Sequence, residues 1–246
     1  MSLKILLILL CLFKIDVLNQ SSLSAMDHEI KHLSIHKNVK QEQTEAYNYT
    51  IKHPVFTSYS TISMANLNNL IKNVTQAELD SFITRVTSSE NFNDSTNELH
   101  ISYKIMYNSA PLISILFSID SYYAGAAHGN TRFISLTYDT DQNKKLALSD
   151  LFTADSLPII ANYCNNALKP VVASDNVTQW LDEGTAPIGT NYQHWNLVPK
   201  GLLITFEAYQ VAAYCYGPQE VIVPYHILEP FITTEGKHIL NSNYSI

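Results

Sequence analysis

The stretch NELHISYKIMYNSAPLISILFSIDSYYAGAAHGNTRFISLTYD, residues 97–139, holds a two-residue hydrophobic period through three successive runs. Leu99, Ile101, Tyr103, Ile105 and Tyr107 recur at every second position. So do Ile113, Ile115, Phe117 and Ile119 after Pro111, and then Ile134, Leu136 and Tyr138. Side chains alternate between the faces of a strand, so each run lays one apolar face on a shared core. Three such runs with short connections predict an antiparallel meander. Between the second and third lies SYYAGAAHGN, residues 121–130, where Gly125 and Gly129 bracket His128 and nearly every neighbour is small. A hairpin reversal needs such residues.

Upstream the period is helical. Leu67, Leu70, Ile71 and Val74 share a face, and Thr75-Gln-Ala-Glu78 reads as a capping box that opens a second set, Leu79, Phe82, Ile83 and Val86. This predicts a helix, or a broken pair of helices, with one buried face. Before it, Tyr49, Ile51 and His53 alternate up to Pro54 as an edge strand would, and the folded part is expected to start at Tyr47. Residues 26–46 are polar. Their His28, His32 and His36 would stack on one face of a helix and could then hold zinc or copper, but with no nearby Cys the favoured reading is a solvated leader.

Downstream, the polar turn at 139–144 precedes Leu146 to Phe152. A helix starting near Ser156 carries Ile159, Ile160, Tyr163, Cys164, Ala167 and Leu168 before Pro170 stops it. Trp180 and Leu181 mark a further short helical segment, and strands return at 191–197, 202–206 and 221–223. The expected class is α+β, an antiparallel sheet meander with helices packed on one face.

Composition narrows the function classes. Hydrophobic residues make up 46% of the 246 residues, enough for a folded core, and the net charge is −7. An acidic chain lacks the basic footprint of a nucleic-acid binder. The opening MSLKILLILLCLFKIDVLNQSSLSA has one early lysine, a short apolar run from Ile5 to Phe13 and a small-residue ending, the layout of a cleavable signal peptide over 1–25. That run is too short for a stable membrane span. Its removal takes away Lys4, Lys14 and Asp16 and leaves the remainder one unit more acidic. The expected location is periplasmic or secreted. There, Cys164 and Cys215 fit either a disulfide or two separate thiols.

Several separated strings, taken in order, resemble the RsiV-type extracytoplasmic domain, also known as domain of unknown function 3298. They are Tyr123, Gly125 to His128, Asp139, Leu148 to Phe152, Tyr209 to Gly217 and Val223 to Tyr225. The segment from Tyr47 to Asn108 resembles the helix-bearing region found beside peptidoglycan deacetylase domains. The organisation expected is therefore a signal peptide at 1–25, a polar leader at 26–46, a deacetylase-associated segment at 47–110, the RsiV-type domain at 111–232 and a tail at 233–246. In the loop, Ala126 stands where the family carries a second glycine. The chain also lacks the combined Asp-Asp and His-x-x-x-His pattern of the deacetylase catalytic domain. The resemblance implies a bacterial, exported, non-enzymatic binding domain whose partner is a lysozyme-like protein or a cell-wall glycan.

The residues read as candidates for that surface are Tyr122, Tyr123, Gly125, His128, Asn130, Tyr209, Tyr214 and Tyr216. Tyrosine gives a large contact area with a polar tip. His128 is expected to donate from its ring to a backbone carbonyl through a buried bond that keeps the hairpin in shape. The alternative is an envelope hydrolase or deacetylase with His128 as base or metal ligand. No cofactor, catalytic residue or metal site is expected on the favoured reading.

Overall fold

A computed structural model describes residues 33–58, 64–88, 96–172 and 178–241. The expected signal peptide, His28 and His32 lie outside the described residues. Six strands form one sheet in the order β1-β2-β3-β4-β5-β6: β1 Leu33–Gln43, β2 Tyr47–Ser58, β3 Asn97–Ser109, β4 Leu112–Tyr122, β5 Asn130–Asp139 and β6 Lys144–Lys145. A second sheet has the order β7-β8-β9, with β7 Trp195–Val198, β8 Gly201–Phe206 and β9 Gln219–Pro224. The helices are α1 Ala65–Thr87, α2 Leu148–Leu151, α3 Ser156–Val172, α4 Thr178–Gly184, α5 Tyr225–Leu228 and α6 Thr234–Asn241. Among the described residues no helix is long and apolar enough to cross a membrane.

The α+β class holds. β3, β4 and β5 form the antiparallel meander, with Ile101 opposite Ile119 and Ile115 opposite Leu136. The pair β2–β3 is parallel, from Tyr47 opposite Asn97 to Ile51 opposite Ile101. The reason is the connection. α1 crosses between them and returns the chain to the end at which β2 began. α1 is one unbroken helix, so Thr75 does not cap a second one. Its side chain is buried and its hydroxyl donates back to the Ile71 and Lys72 carbonyls, 3.2 and 3.1 Å away. Pro170 likewise does not end α3, which runs on to Val172.

Residues 33–43 are a strand, which corrects the expected solvated leader. β1 pairs antiparallel with β2 from Leu33 opposite Ser58 to Gln43 opposite Asn48. His36 therefore sits on a strand, and the helical spacing of three histidines does not apply to it. β1 is mostly exposed, so backbone pairing holds it, and polar and lysine side chains suit a sheet edge.

β4 is buried on both faces and organises the molecule. Ile113, Ile115, Phe117 and Ile119 pack with Leu67, Ile71, Leu79, Phe82 and Val86 of α1. The intervening residues turn to the other side, where Leu112 joins the core built by α3 and the small sheet through Ile160, Cys164, Leu202, Ile204 and Val223. A polar knot fastens the two sheets. Asn196 on β7 donates from Nδ2 to Ser114 Oγ and to the Ile115 carbonyl, each at 2.9 Å, and the Leu197 amide donates to Ser114 Oγ at 3.2 Å. A boundary at residue 110 therefore falls inside the turn between two paired strands, Ser109 lying opposite Leu112, and divides one sheet.

One run departs from its period. A β-bulge between Ile105 and Tyr107 shifts the register of β3. Ile105 stays on the α1 core while Tyr107 packs on the opposite one, because a single extra residue exchanges the faces.

Candidate functional site

The glycine loop reverses β4 into β5. The Ala126 amide donates to the Tyr123 carbonyl at 2.9 Å, and between them Gly125 takes φ +86°, a conformation that residues with a Cβ rarely adopt. Ala126 has no positive φ, so alanine in place of the family's second glycine strains nothing. From Asn97, Oδ1 accepts the Ala124 amide at 2.9 Å and ties the loop to the start of β3. His128 is exposed at the tip, with Nδ1 2.7 Å from the Gly129 carbonyl. That nitrogen carries the proton, since a carbonyl only accepts. Nε2 is then left as an acceptor, and the Tyr209 hydroxyl lies 3.4 Å from it. The expected bond from ring to backbone exists, but it faces solvent, which corrects the expectation of a buried one.

The facing side of the site comes from residues 207–216. Tyr209 has φ +70° in a turn closed by the Gln210 amide on the Glu207 carbonyl at 3.1 Å. Gln210 anchors this turn by donating to the Gly184 carbonyl at 3.2 Å and the Asn191 carbonyl at 3.0 Å. Gly184, at the end of α4, comes so close that a Cβ there would sit 1.9 Å from the Gln210 carbonyl oxygen. This contact brings α4 and its Trp180 against the tyrosine turn. Val211 and Ala212 are buried behind it, and Tyr214 follows in a 3-10 turn.

Four rings from three segments meet here. His128 and Tyr214 stack with centroids 4.0 Å apart, Tyr209 and Tyr214 lie 5.3 Å apart, and Trp180 meets Tyr209 edge-on at 6.3 Å. The Tyr214 hydroxyl donates to the Gly129 carbonyl at 3.0 Å, so that oxygen accepts from both rings that flank it. The cluster remains open to solvent, with Trp180 41%, Tyr209 48% and Tyr214 37% exposed.

Glu207 opens the turn that carries Tyr209. Its Oε1 accepts the Phe133 amide at 3.0 Å and lies 3.4 Å from His194 Nε2. Burial pushes this carboxyl up, but the bonds from His194 and Phe133 outweigh it and hold the group below the ordinary glutamate value. The turn that carries Tyr209 is thereby tied to β5.

The remaining candidates separate. Tyr123 joins the α1 core, its ring 5.7 Å from Phe82 and covered by the Arg85 guanidinium at 3.9 Å. Tyr122 is half-buried opposite Glu98, and Asn130 is exposed where β5 begins opposite Ser121. Tyr216 is exposed, and its carbonyl accepts from Gln219 Nε2 at 2.7 Å. Cys164 is buried in α3, Cys215 is exposed, and both are free thiols, so the bridge left open by the sequence is not formed here. Trp180 was not a candidate. Its place beside a short amphipathic segment gives no sign of the Gly184–Gln210 contact that positions it.

The arrangement offers exposed aromatic faces beside an imidazole whose orientation is fixed. His128 is oriented by a carbonyl rather than a carboxylate, and among the described residues no three His, Cys, Asp or Glu side chains group as a metal site would require.

The fold and the cluster together define a two-sheet α+β module with an open aromatic patch. Residues 149–226 match the family described as a protein of unknown function, DUF3298, and residues 40–131 match the family described as deacetylase PdaC. The chain thus matches both families that its motifs resemble, although the loop at 125–128, read from the sequence as part of the first, falls in the span matched by the second; the cluster joins the two, with His128 in the second and Trp180, Tyr209 and Tyr214 in the first. Among curated proteins it is similar to the peptidoglycan-N-acetylmuramic acid deacetylase PdaC of Bacillus subtilis, 26% identical over 194 residues, which is 76% of this chain and 39% of that protein. The chain therefore spans well under half of that relative. In fold it is similar to two crystal structures of DUF3298 family proteins. The one from Bacteroides fragilis has a TM-score of 0.62 at 17% identity, over 84% of this chain and 96% of the other. The one from Pseudomonas aeruginosa has a TM-score of 0.57 at 16% identity, over 83% and 96%.

Proposed function

We propose that this chain is an exported, non-enzymatic binding module of the bacterial cell envelope that recognises a peptidoglycan glycan through the Trp180, Tyr209, Tyr214 and His128 cluster. The observation that carries this reading is the open stack of rings, with His128 and Tyr214 both bonded to the Gly129 carbonyl. Flat aromatic faces pack against the C–H faces of sugar rings, and rigid tyrosines and tryptophan lose little conformational freedom in doing so. The name of the Bacillus subtilis relative, a deacetylase of peptidoglycan N-acetylmuramic acid, supports the envelope as the setting and a muramyl glycan as the ligand class.

Co-sedimentation with insoluble peptidoglycan tests the reading. The protein should pellet with it, and the double change Tyr209→Ala with Tyr214→Ala should leave it in the supernatant. Equal pelleting of both proteins would contradict the assignment.

A second reading takes a basic protein such as a lysozyme as the partner, and the net charge of −7 favours it. Calorimetric titration at low salt separates the two, because steering by opposite charge weakens as salt is added, whereas ring stacking on a neutral sugar does not.

A further inference from the structure

Away from the aromatic cluster, a cleft of about 460 Å³ opens between the β1–β2 hairpin and α1, lined by Asn38, Val39, Lys40, Ile51, His53, Lys72, Thr75 and Gln76. Its volume is in the range of pockets that hold small organic ligands. The floor is apolar at Ile51, and the walls carry the ammonium groups of Lys40 and Lys72 with the imidazole of His53. In a chain of net charge −7 this is a local reversal of sign.

Among the described residues neither Lys40 nor Lys72 forms an ion pair, the pairs belonging to Arg132, Lys144 and His194. No Asp or Glu among the described residues lines the cleft, and Lys40 Nζ has Gln76 Oε1 at 3.5 Å and the Tyr49 ring at 5.7 Å. Asp80 accepts from Gln76 Nε2 at 2.7 Å, which turns the Gln76 oxygen toward Lys40. His53 places Nδ1 3.3 Å from the Pro54 carbonyl, which fixes its ring against the strand.

We propose that this cleft is a binding site for a sugar-sized group that carries an oxyanion. Two ammonium groups outside any ion pair meet the oxyanion, the amide of Asn38 meets the sugar, and Ile51 packs beneath its ring. The site uses none of the cluster's residues and does not depend on the glycan reading above.

Glucose 6-phosphate and glucuronate supply the two sources of oxyanion, and glucose is the uncharged control. In calorimetric titration of the full chain at low ionic strength, one or both acidic sugars should bind and glucose should not. The paired change Lys40→Gln with Lys72→Gln should weaken that binding about fivefold or more. The paired change Lys200→Gln with Lys237→Gln, which alters net charge equally at exposed positions outside the cleft, should leave it unchanged, as should Tyr209→Ala. Whether the phosphate or the carboxylate binds better names the source. Absence of binding by both acidic sugars, or equal weakening in the two lysine pairs, would overturn the proposal.

Discussion

The imidazole of His128 stacks on the ring of Tyr214 at 4.0 Å, and both flank one acceptor, the Gly129 carbonyl. The loop and the tyrosine turn are therefore one unit, although they lie in separately matched regions of the chain.

Because the bonds of His128 face solvent, His128→Ala should cost less than about 1 kcal/mol of stability, and Tyr214→Phe, which keeps the stacking, should cost less still. Tyr214→Ala removes both the ring and the bond and should cost more than either. Thermal melts of the three variants check the order, and a large loss in His128→Ala alone would show a role that this geometry does not contain.

Asn196 is the opposite case. It is fully buried and joins Ser114, Ser135 and the Ile115 carbonyl across the two sheets. Asn196→Leu removes these bonds, although Ser114 keeps Thr137 Oγ1 and the Leu197 amide, and should cost roughly 2–4 kcal/mol in urea unfolding, or prevent folding. A loss of a few tenths would mean that the sheets are held by their apolar contacts alone.

Acid should loosen the turn that carries Tyr209. Glu207 and Asp150 both titrate below their ordinary values in the folded chain. For Asp150, burial pushes the carboxyl up, but bonds from the Ala147 amide and Lys144 outweigh it. For a lowered carboxyl the stabilising contribution is complete above its unfolded value and disappears as pH falls through the folded one. Stability should therefore be level from about pH 6 to 5 with respect to these two groups and fall below about pH 4. In the combined variant Glu207→Gln with Asp150→Asn the fall should be shallower, measured by denaturant midpoints across that range.

Cys164 and Cys215 should differ sharply toward an alkylating reagent. Burial in α3 pushes the Cys164 thiol up to about 12, whereas Cys215 is exposed. Peptide mapping after brief treatment of the native protein should find Cys215 modified and Cys164 intact, with Cys164 reacting only after unfolding.

The meander was legible because each of its strands buries a face, so Ile113, Ile115, Phe117 and Ile119 wrote the period directly into the sequence. β1 was not. Its side chains are mostly exposed, and backbone pairing with β2 leaves no hydrophobic trace. Tyr107 misled for a local reason, since one bulge reverses the face while the spacing stays regular. At the site, the glycine loop and the tyrosines were visible as residue types, but their grouping was not. Tyr123 beside the loop turned to the α1 core, while Trp180 entered through the close approach of Gly184 to Gln210, a contact that no spacing announces.

The central claim is that the aromatic cluster is the binding surface, and Trp180 reports on it directly. The chain has two tryptophans, Trp180 at 41% exposure in the cluster and Trp195 at 8% in the core. Titration with soluble muramyl glycan fragments should shift or quench the emission of the native protein and of Trp195→Phe, and leave that of Trp180→Phe unchanged. Emission of the Trp195→Phe variant that does not respond to the glycan at saturating concentration would contradict the account.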